Sequence, residues 1–539
     1  MRFSGTERRA WLGRAADGRV DLVVVGGGIT GAGVAREAAL RGHSVVLLER
    51  GDFACGTSSR SSKLIHGGVR YLAQGDVALV RESARERGVL RRLAPHLARP
   101  VRMVIPASSF AGRMKLAAGL WTFDKLAGDP DESHEVLDRA ATLDVVPNLR
   151  RERLSGSVVF TEYVTHDSRL TLETLKAAAS AGALVANYAP VMSIDFGDGG
   201  VRIGGIDDES GESFEVNARC MVNAAGPWLD DVRRMGDDAA QAAVQLTRGI
   251  HLVVAAERLP VDASVVLRSP DGRSTFVVPR DEYVYVGTTD THYEGDAAEP
   301  GVSDDDVAYL LESLAATFLD PPTAADIIGT WSGVRPLTRQ EGKSPSEISR
   351  KDEIHSGPGP VVAIAGGKLT TYRRMAERVV DKVEETVGLT RRQDSRSAEQ
   401  PLSGGSAEQQ RVARAEATSS GDSRLDDRLW RTYGVAAAEI CQALARGNGA
   451  AETIGGLDCL TAAELDHMLE SEMALRLDDV LRRRSSIAMF DTESAASAAE
   501  QTAIALGQRL GWDDARVKRE ATDFASSRRE ELQICKEVS

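Results

Sequence analysis

Three glycines at fixed spacing, Gly26, Gly28 and Gly31, separate an apolar run from an alanine-rich stretch, and an acid, Glu49, follows the last of them by 18 residues. Residue types in that order hold a dinucleotide. Gly26 permits a tight turn, Gly28 lets the backbone approach a pyrophosphate, and Gly31 lets a helix pack closely on its sheet. The helix start at Ile29 and Thr30 offers free N–H groups and the positive end of a dipole. Glu49, with Arg50 beside it, is the expected acceptor for ribose hydroxyls. A bare glycine motif says little. Here both flanking strands, the small residues Ala35, Ala38 and Ala39 and the terminal acid accompany it.

The elements that must position these groups can be read along the chain. Residues 22–25 and the run ending at Glu49 are strands on either side of the helix. Residues 220–228, CMVNAAGPW, form a returning strand whose tight turn brings Ala225 and Gly226 toward the cofactor. Residues 361–371, VVAIAGGKLTT, repeat the order of strand, glycine pair and helix start, and carry Gly366, Gly367, Lys368, Leu369 and Thr370. Residues 158–164, 201–206, 276–278 and 283–286 are rich in β-formers, with Arg280-Asp281 as a hairpin tip, and are assigned to a mostly antiparallel substrate domain. The expected fold class is α/β: a Rossmann-like dinucleotide domain interleaved with the antiparallel β domain over residues 21–389. A polar lead-in (1–20) precedes it, and a linker (390–424), with any order expected around Pro401 and Leu402, joins it to a C-terminal α-helical domain (425–539). There Leu465, Met468, Leu469, Met473, Leu477, Val480 and Leu481 fall on one face of a helix, and Arg482, Arg483 and Arg484 stand near its C-terminal end, where the dipole favours cations.

A chain of 539 residues has room for two or three domains. Its net charge of −14 argues against nucleic-acid binding, which needs a basic face. The five cysteines are scattered with no C-x-x-C, so spacing encodes neither a zinc nor an iron–sulfur site, and reduced thiols in a cytosolic compartment are expected. The N-terminus lacks the apolar core of a secretion signal. No run approaches the ~20 apolar residues of a membrane span, so any membrane contact is expected to be peripheral.

From residue 51 the sequence continues GDFACGTSSRSSKLIHGGVRYL. With SGVRPL (332–337), SRKDEI (349–354), AGGKLTTYR (365–373) and DDVLRRR (478–484), it resembles the FAD-dependent glycerol-3-phosphate dehydrogenases, relatives of D-amino-acid oxidase. The likeness covers residues 21–389 and resumes in the C-terminal helices. It implies FAD held without a covalent bond. The anaerobic branch carries a cysteine-rich extension that is lacking here, so the chain is most similar to the single-polypeptide respiratory branch, with the oxygen-using oxidases left open. The implied reaction is oxidation of sn-glycerol 3-phosphate, hydride passing from C2 to flavin N5 and electrons on to a membrane quinone. The implied location is cytoplasmic, peripheral on the inner face of the membrane, with a homodimer left open.

The substrate is a small dianion, and arginine forks bind phosphate bidentately. In the matching blocks Arg70, Arg335, Arg350 and Lys368 supply the cations, with Tyr71 beside them. Arg335 and Arg350 are the expected phosphate ligands, and Lys368 faces either substrate or the reduced flavin. His251 in RGIHLVV is the favoured base, and His66 in LIHGG the alternative, which would otherwise hold the turn at Gly67 and Gly68. Thr57, Ser58, Ser61 and Ser62 are expected at the pyrophosphate and flavin edges, turn capping being the other use of such hydroxyls. Asp167 and Arg169 match a family D-x-R pattern and are assigned to ion pairing. Residues 110–126, FAGRMKLAAGLWTFDKL, suit an interfacial amphipathic helix or a buried one. An amine or amino-acid oxidase would not require so many cations, and a non-catalytic flavoprotein would show a damaged pocket.

Overall fold

The computed structural model describes residues 3–68, 76–127, 133–152, 154–197, 199–340 and 352–538. Two sheets organise the first three-quarters of the chain. In one, the strands run in the order Glu353–Ser356, Val361–Ala365, Ser213–Asn223, Arg19–Val25, Val45–Leu48 and Leu184–Ala186. All neighbours are parallel except the first pair. Residues 22–25, 45–48 and 361–365 are continuous aliphatic runs, buried throughout, as strands covered on both faces must be. The helices Ile29–Leu40, Asp167–Ser180 and Tyr372–Val387 cover one face, and Val34, Ala35, Ala38, Leu175, Val379 and Val380 share a core with Leu22, Val24 and Leu47.

The second sheet is mostly antiparallel. Its order is Thr291–Tyr293, Val244–Ala255, Tyr283–Gly287, Ser274–Arg280, Ser264–Arg268, Arg99–Ala107, Gly156–Val164 and Leu64–Ile65, with Ile327–Thr338 paired along Val244–Ala255. The chain passes between the sheets several times, so the two domains are interleaved. The hairpin expected at Arg280-Asp281 is present with its tip one residue later, at Asp281 and Glu282, since Arg280 pairs with Tyr283.

Four local expectations change. The strand Gly200–Ile206 pairs with Val191–Gly197 and Ser213–Asn223, in the nucleotide-domain sheet and not the substrate domain. β-propensity identifies a strand but not its partner. The lead-in is a helix, Gly5–Ala15, whose Trp11 is buried and whose Arg8 pairs with Asp207 at 2.5 Å. Within 390–424, the helix Ala407–Glu416 forms, whereas the order expected around Leu402 is present, its N–H donating to the Leu93 carbonyl at 3.0 Å. The expected helix through Leu481 ends at Ser471, and Met473 turns to φ 54° before a wide π-type segment, Asp479–Arg484.

Arg482, Arg483 and Arg484 are buried in that segment and do not stand at the C-terminal end of the expected helix. Arg483 and Arg484 reach Asp52 of the nucleotide domain at 2.5 and 2.6 Å, and Arg482 reaches Glu299 of the substrate domain at 3.0 Å. Asp167 and Arg169 are likewise ion-paired, but to Lys63 and Glu472 and not to each other. The pairs made by Arg482, Arg483, Arg484 and Glu472 pin the helical domain to the other two. Breaking a buried pair by removing one partner costs about 3–5 kcal/mol, because the other charge is left stranded.

Candidate active site

At the C-terminal ends of the parallel strands the chain opens a cavity of about 1240 Å³, beyond the ~300–1,000 Å³ of ordinary ligand pockets. The strand Arg19–Val25 delivers Gly26 in the left-handed region, φ 111°, with the Ala224 carbonyl only 2.6 Å from where a Cβ would sit. A Cβ on Gly31 would collide with the Gly26 carbonyl, so the helix can seat against the turn only with glycine there. Glu49 is buried and accepts from Gly27 N–H at 2.6 Å and Gly51 N–H at 2.9 Å. Burial pushes its carboxyl up, against the pull of those hydrogen bonds. Ser58 Oγ accepts from Ile29 N–H at 2.9 Å, at the helix start. Arg50 lies 4.5 Å from the Trp228 ring centroid on the same wall. Gly28, Thr30, Thr57, Ala225, Gly226, Gly366, Gly367 and Leu369 complete this end. A turn closed to any side chain, a helix start and a buried carboxylate fit FAD.

Residues 57–67 then cross to the second sheet and are stitched at each step. Thr57 donates to the Val334 carbonyl at 2.7 Å. Ser61 donates to Asp167 through its N–H (3.0 Å) and its hydroxyl (2.7 Å). Ser62 Oγ pairs with His251 Nε2 at 2.9 Å. Gly67 N–H donates to the Glu162 carboxylate at 2.9 Å, and Thr370 donates to the His66 carbonyl at 3.2 Å.

The far end of the cavity is formed by side chains. Arg335, on the strand Ile327–Thr338, donates to Thr288 Oγ1 at 2.9 Å, the Thr289 carbonyl at 3.2 Å and the Asp290 carboxylate at 3.2 Å. Gly249 lies opposite, and a Cβ there would occupy the space of the guanidinium and of Thr288. Lys368 lines the same cavity from the cap of the turn Leu369–Thr371. The arrangement can bind an anion next to a dinucleotide's reactive ring.

Of the residues picked from sequence, Gly31, Gly67 and Thr370 lie behind the wall, and Ser61, Ser62, His66 and Gly68 are on it. His251 is 1% exposed, stacks on Trp331 with ring centroids 4.6 Å apart, and reaches the cavity only through Ser62. Burial, then the charges of Arg335 and Lys63, holds its imidazole well below the usual value, so it is neutral. Arg70, Tyr71 and Arg350 lie outside the described residues. The sequence reading missed Arg60, Arg273 and residues 288–290, all on the wall. A glycine followed by Thr-Thr-Asp at a strand end was the available signal for the last of these. Burial and the neighbouring Arg482 bring the Arg60 guanidinium down to about 10.

Fold and cavity together define an FAD-dependent oxidoreductase. The family model for FAD dependent oxidoreductases matches residues 21–373, and the model for the C-terminal domain of alpha-glycerophosphate oxidase matches residues 395–517, beginning inside the stretch read as a linker. An aerobic glycerol-3-phosphate dehydrogenase of Staphylococcus saprophyticus is 36% identical over 528 residues, covering 94% of this chain and 93% of the relative. One from Staphylococcus aureus is 42% identical over 384 residues, 69% of this chain and 68% of the relative. The solved glycerol-3-phosphate dehydrogenase of Bacillus halodurans, complexed with FAD, superposes with a TM-score of 0.80 at 31% identity and 99% coverage of both chains. The L-alpha-glycerophosphate oxidase of Mycoplasma pneumoniae shares the fold, with a TM-score of 0.55 at 17% identity over 70% of this chain and 98% of that one. The chain belongs to the FAD-dependent glycerol-3-phosphate dehydrogenase family.

Proposed function

We propose that this protein oxidises sn-glycerol 3-phosphate to dihydroxyacetone phosphate and passes the electrons to a membrane quinone. The observation that carries the reading is that Arg335 and Lys368 face the same cavity as the Gly26–Gly28 turn and Glu49. FAD, held at the Gly26–Gly28 turn and Glu49, would supply the two-electron acceptor for the hydride lost from substrate C2. Arg335 binds the phosphate, its fork held in place by Thr288, Thr289 and Asp290. Arg70, Arg350 and Tyr71 join it on the strength of their motifs alone. Lys368 contributes a second positive charge. The Ser62 hydroxyl takes the proton of the substrate C2 hydroxyl as its own passes to His251 Nε2, 2.9 Å away.

The helix Phe110–Ala127 supports the peripheral membrane reading. Phe110 and Trp121 are 64% and 58% exposed, with Lys125 over the Trp121 ring, while Leu120 and Phe123 are buried. Lys115, Leu116, Gly119 and Leu120 line the cavity, so the helix has one face on the site and the other outward. Apolar and basic groups on one outward face suit the headgroup boundary. Among the described residues no helix is long and apolar enough to cross a membrane.

Anaerobic addition of glycerol 3-phosphate should bleach the flavin of the holoenzyme. Bleaching by an amino acid in its place would overturn the substrate. Reoxidation by a quinone analogue faster than by oxygen supports the acceptor, and the reverse order favours an oxidase.

A further inference from the structure

A second cleft, of about 210 Å³, lies where the substrate domain meets the C-terminal helices. Arg99 enters it from the start of the strand Arg99–Ala107, Arg280 from the end of the strand Ser274–Arg280 and Arg431 from the helix Ser423–Tyr433. Three further arginines on its wall are neutralised, Arg169 by Glu472, Arg428 by Glu464 and Arg484 by Asp52. Arg431 is paired with Asp281 at 2.9 Å.

Arg99 and Arg280 differ from these four. Among the described residues neither has a carboxylate within ion-pair distance. Arg280 donates to the Thr165 carbonyl at 3.1 Å and lies 4.9 Å from the Phe490 ring centroid. Arg99 makes no side-chain hydrogen bond among the described residues. Burial, then the like charge of Arg280, pushes the Arg99 guanidinium below the ordinary arginine value, with Asp281 opposing and Arg431 adding to the shift. Thr165, on the same wall, is only 3% exposed, and its hydroxyl has no hydrogen-bond partner. Two half-buried cations without a direct ion-pair partner, with a buried hydroxyl beside them, are costly unless something else satisfies them.

We propose that this cleft is a second anion site, which takes a phosphate-group dianion between Arg99 and Arg280 with Thr165 as an additional hydrogen-bonding group. Asp281 and Glu282 also line the cleft, but neither pairs with Arg99 or Arg280; two positive charges without a direct ion-pair partner suit a dianion, and guanidinium forks match its tetrahedral oxygens. A cleft of this size admits inorganic phosphate or a small phosphomonoester. Because the site joins two domains, its occupant screens the repulsion between Arg99 and Arg280 and ties the helical domain to the hairpin. The inference does not depend on which substrate the main cavity oxidises.

The test uses holoenzyme carrying Arg335→Ala, which lowers any phosphate signal from the main cavity. Titrated calorimetrically with inorganic phosphate against sodium chloride of equal ionic strength, it should bind phosphate at a site that R99Q, in the same background, weakens at least tenfold with flavin content unchanged. Methyl phosphate binding more tightly than inorganic phosphate identifies a monoester as the occupant, and the reverse order identifies free phosphate. Malonate binding more tightly than both overturns the phosphate assignment. Phosphate binding no tighter than chloride, or binding unchanged by R99Q, overturns the site. Should R99Q fail to accumulate as holoenzyme, a phosphate-soaked crystal of the unsubstituted protein decides. Tetrahedral density between Arg99 and Arg280 supports the proposal, and an empty cleft overturns it.

Discussion

At the nucleotide end of the cavity the backbone does most of the holding. Gly26, Gly28 and the helix start at Ile29 present main-chain groups, and the buried acid Glu49 is itself held by two main-chain N–H groups. At the substrate end side chains do it. Arg335 is fixed by Thr288, Thr289 and Asp290, and Ser62 by His251, partners that lie 45 to 189 residues away in the chain. A site made of backbone tolerates most side-chain changes but no added bulk. A site made of side chains fails by single deletions, and each deletion also strands the partner it leaves behind.

The sharpest break of that contrast is at the nucleotide end. Gly31→Val drives a branched side chain into the Gly26 carbonyl, and the purified variant should lack visible flavin absorbance altogether. A fully flavinated Gly31→Val protein would show that close packing is not what seats the helix. At the other end, Arg335→Ala should leave flavin content normal and raise KM for glycerol 3-phosphate by on the order of 10²–10³-fold, the loss of two charge-assisted hydrogen bonds. An unchanged KM removes Arg335 from the phosphate site. Ser62→Ala should lower kcat by about 10²-fold with KM nearly constant, as loss of a proton relay does. A change confined to KM would make Ser62 a binding group only.

The smallest effect concerns pH. Burial holds His251 and His166 well below the usual imidazole value and His96 at about 3. The folded protein keeps these rings neutral while the unfolded chain protonates them below about 6.5. Their contribution to stability is therefore complete above that pH and is lost as pH falls, by up to about 1.4 kcal/mol per histidine per pH unit. Tm should decline below pH ~6.5. His251→Gln should flatten part of that decline, and a parallel decline in the variant counts against His251 as a contributor.

How much could be read from the chain follows the same division. The residue-26 turn, Glu49, residues 220–228 and residues 361–371 were legible because each works through a few neighbours at fixed spacing. Residues 288–290 and Arg60 were not, because nothing local in a Thr-Thr-Asp run or an arginine says which cavity it will face. The helix expected through Leu481 was misread for a related reason. Apolar spacing continues across the break at Met473, so periodicity alone does not register it. Arg482, Arg483 and Arg484 read as cations at a helix end until Asp52, 430 and more residues earlier, is brought beside two of them.

By itself the sequence determined that a dinucleotide is held at the end of a parallel sheet, since glycine spacing and strand hydrophobicity act over a handful of residues. Only the tertiary structure decided that Gly200–Ile206 joins that sheet, that His251 stands behind Ser62, and that three arginines bind the domains together. Those outcomes depend on which distant groups are desolvated together, and the energy of a buried charge or a strand edge is set by its partner and not by its neighbours in the chain.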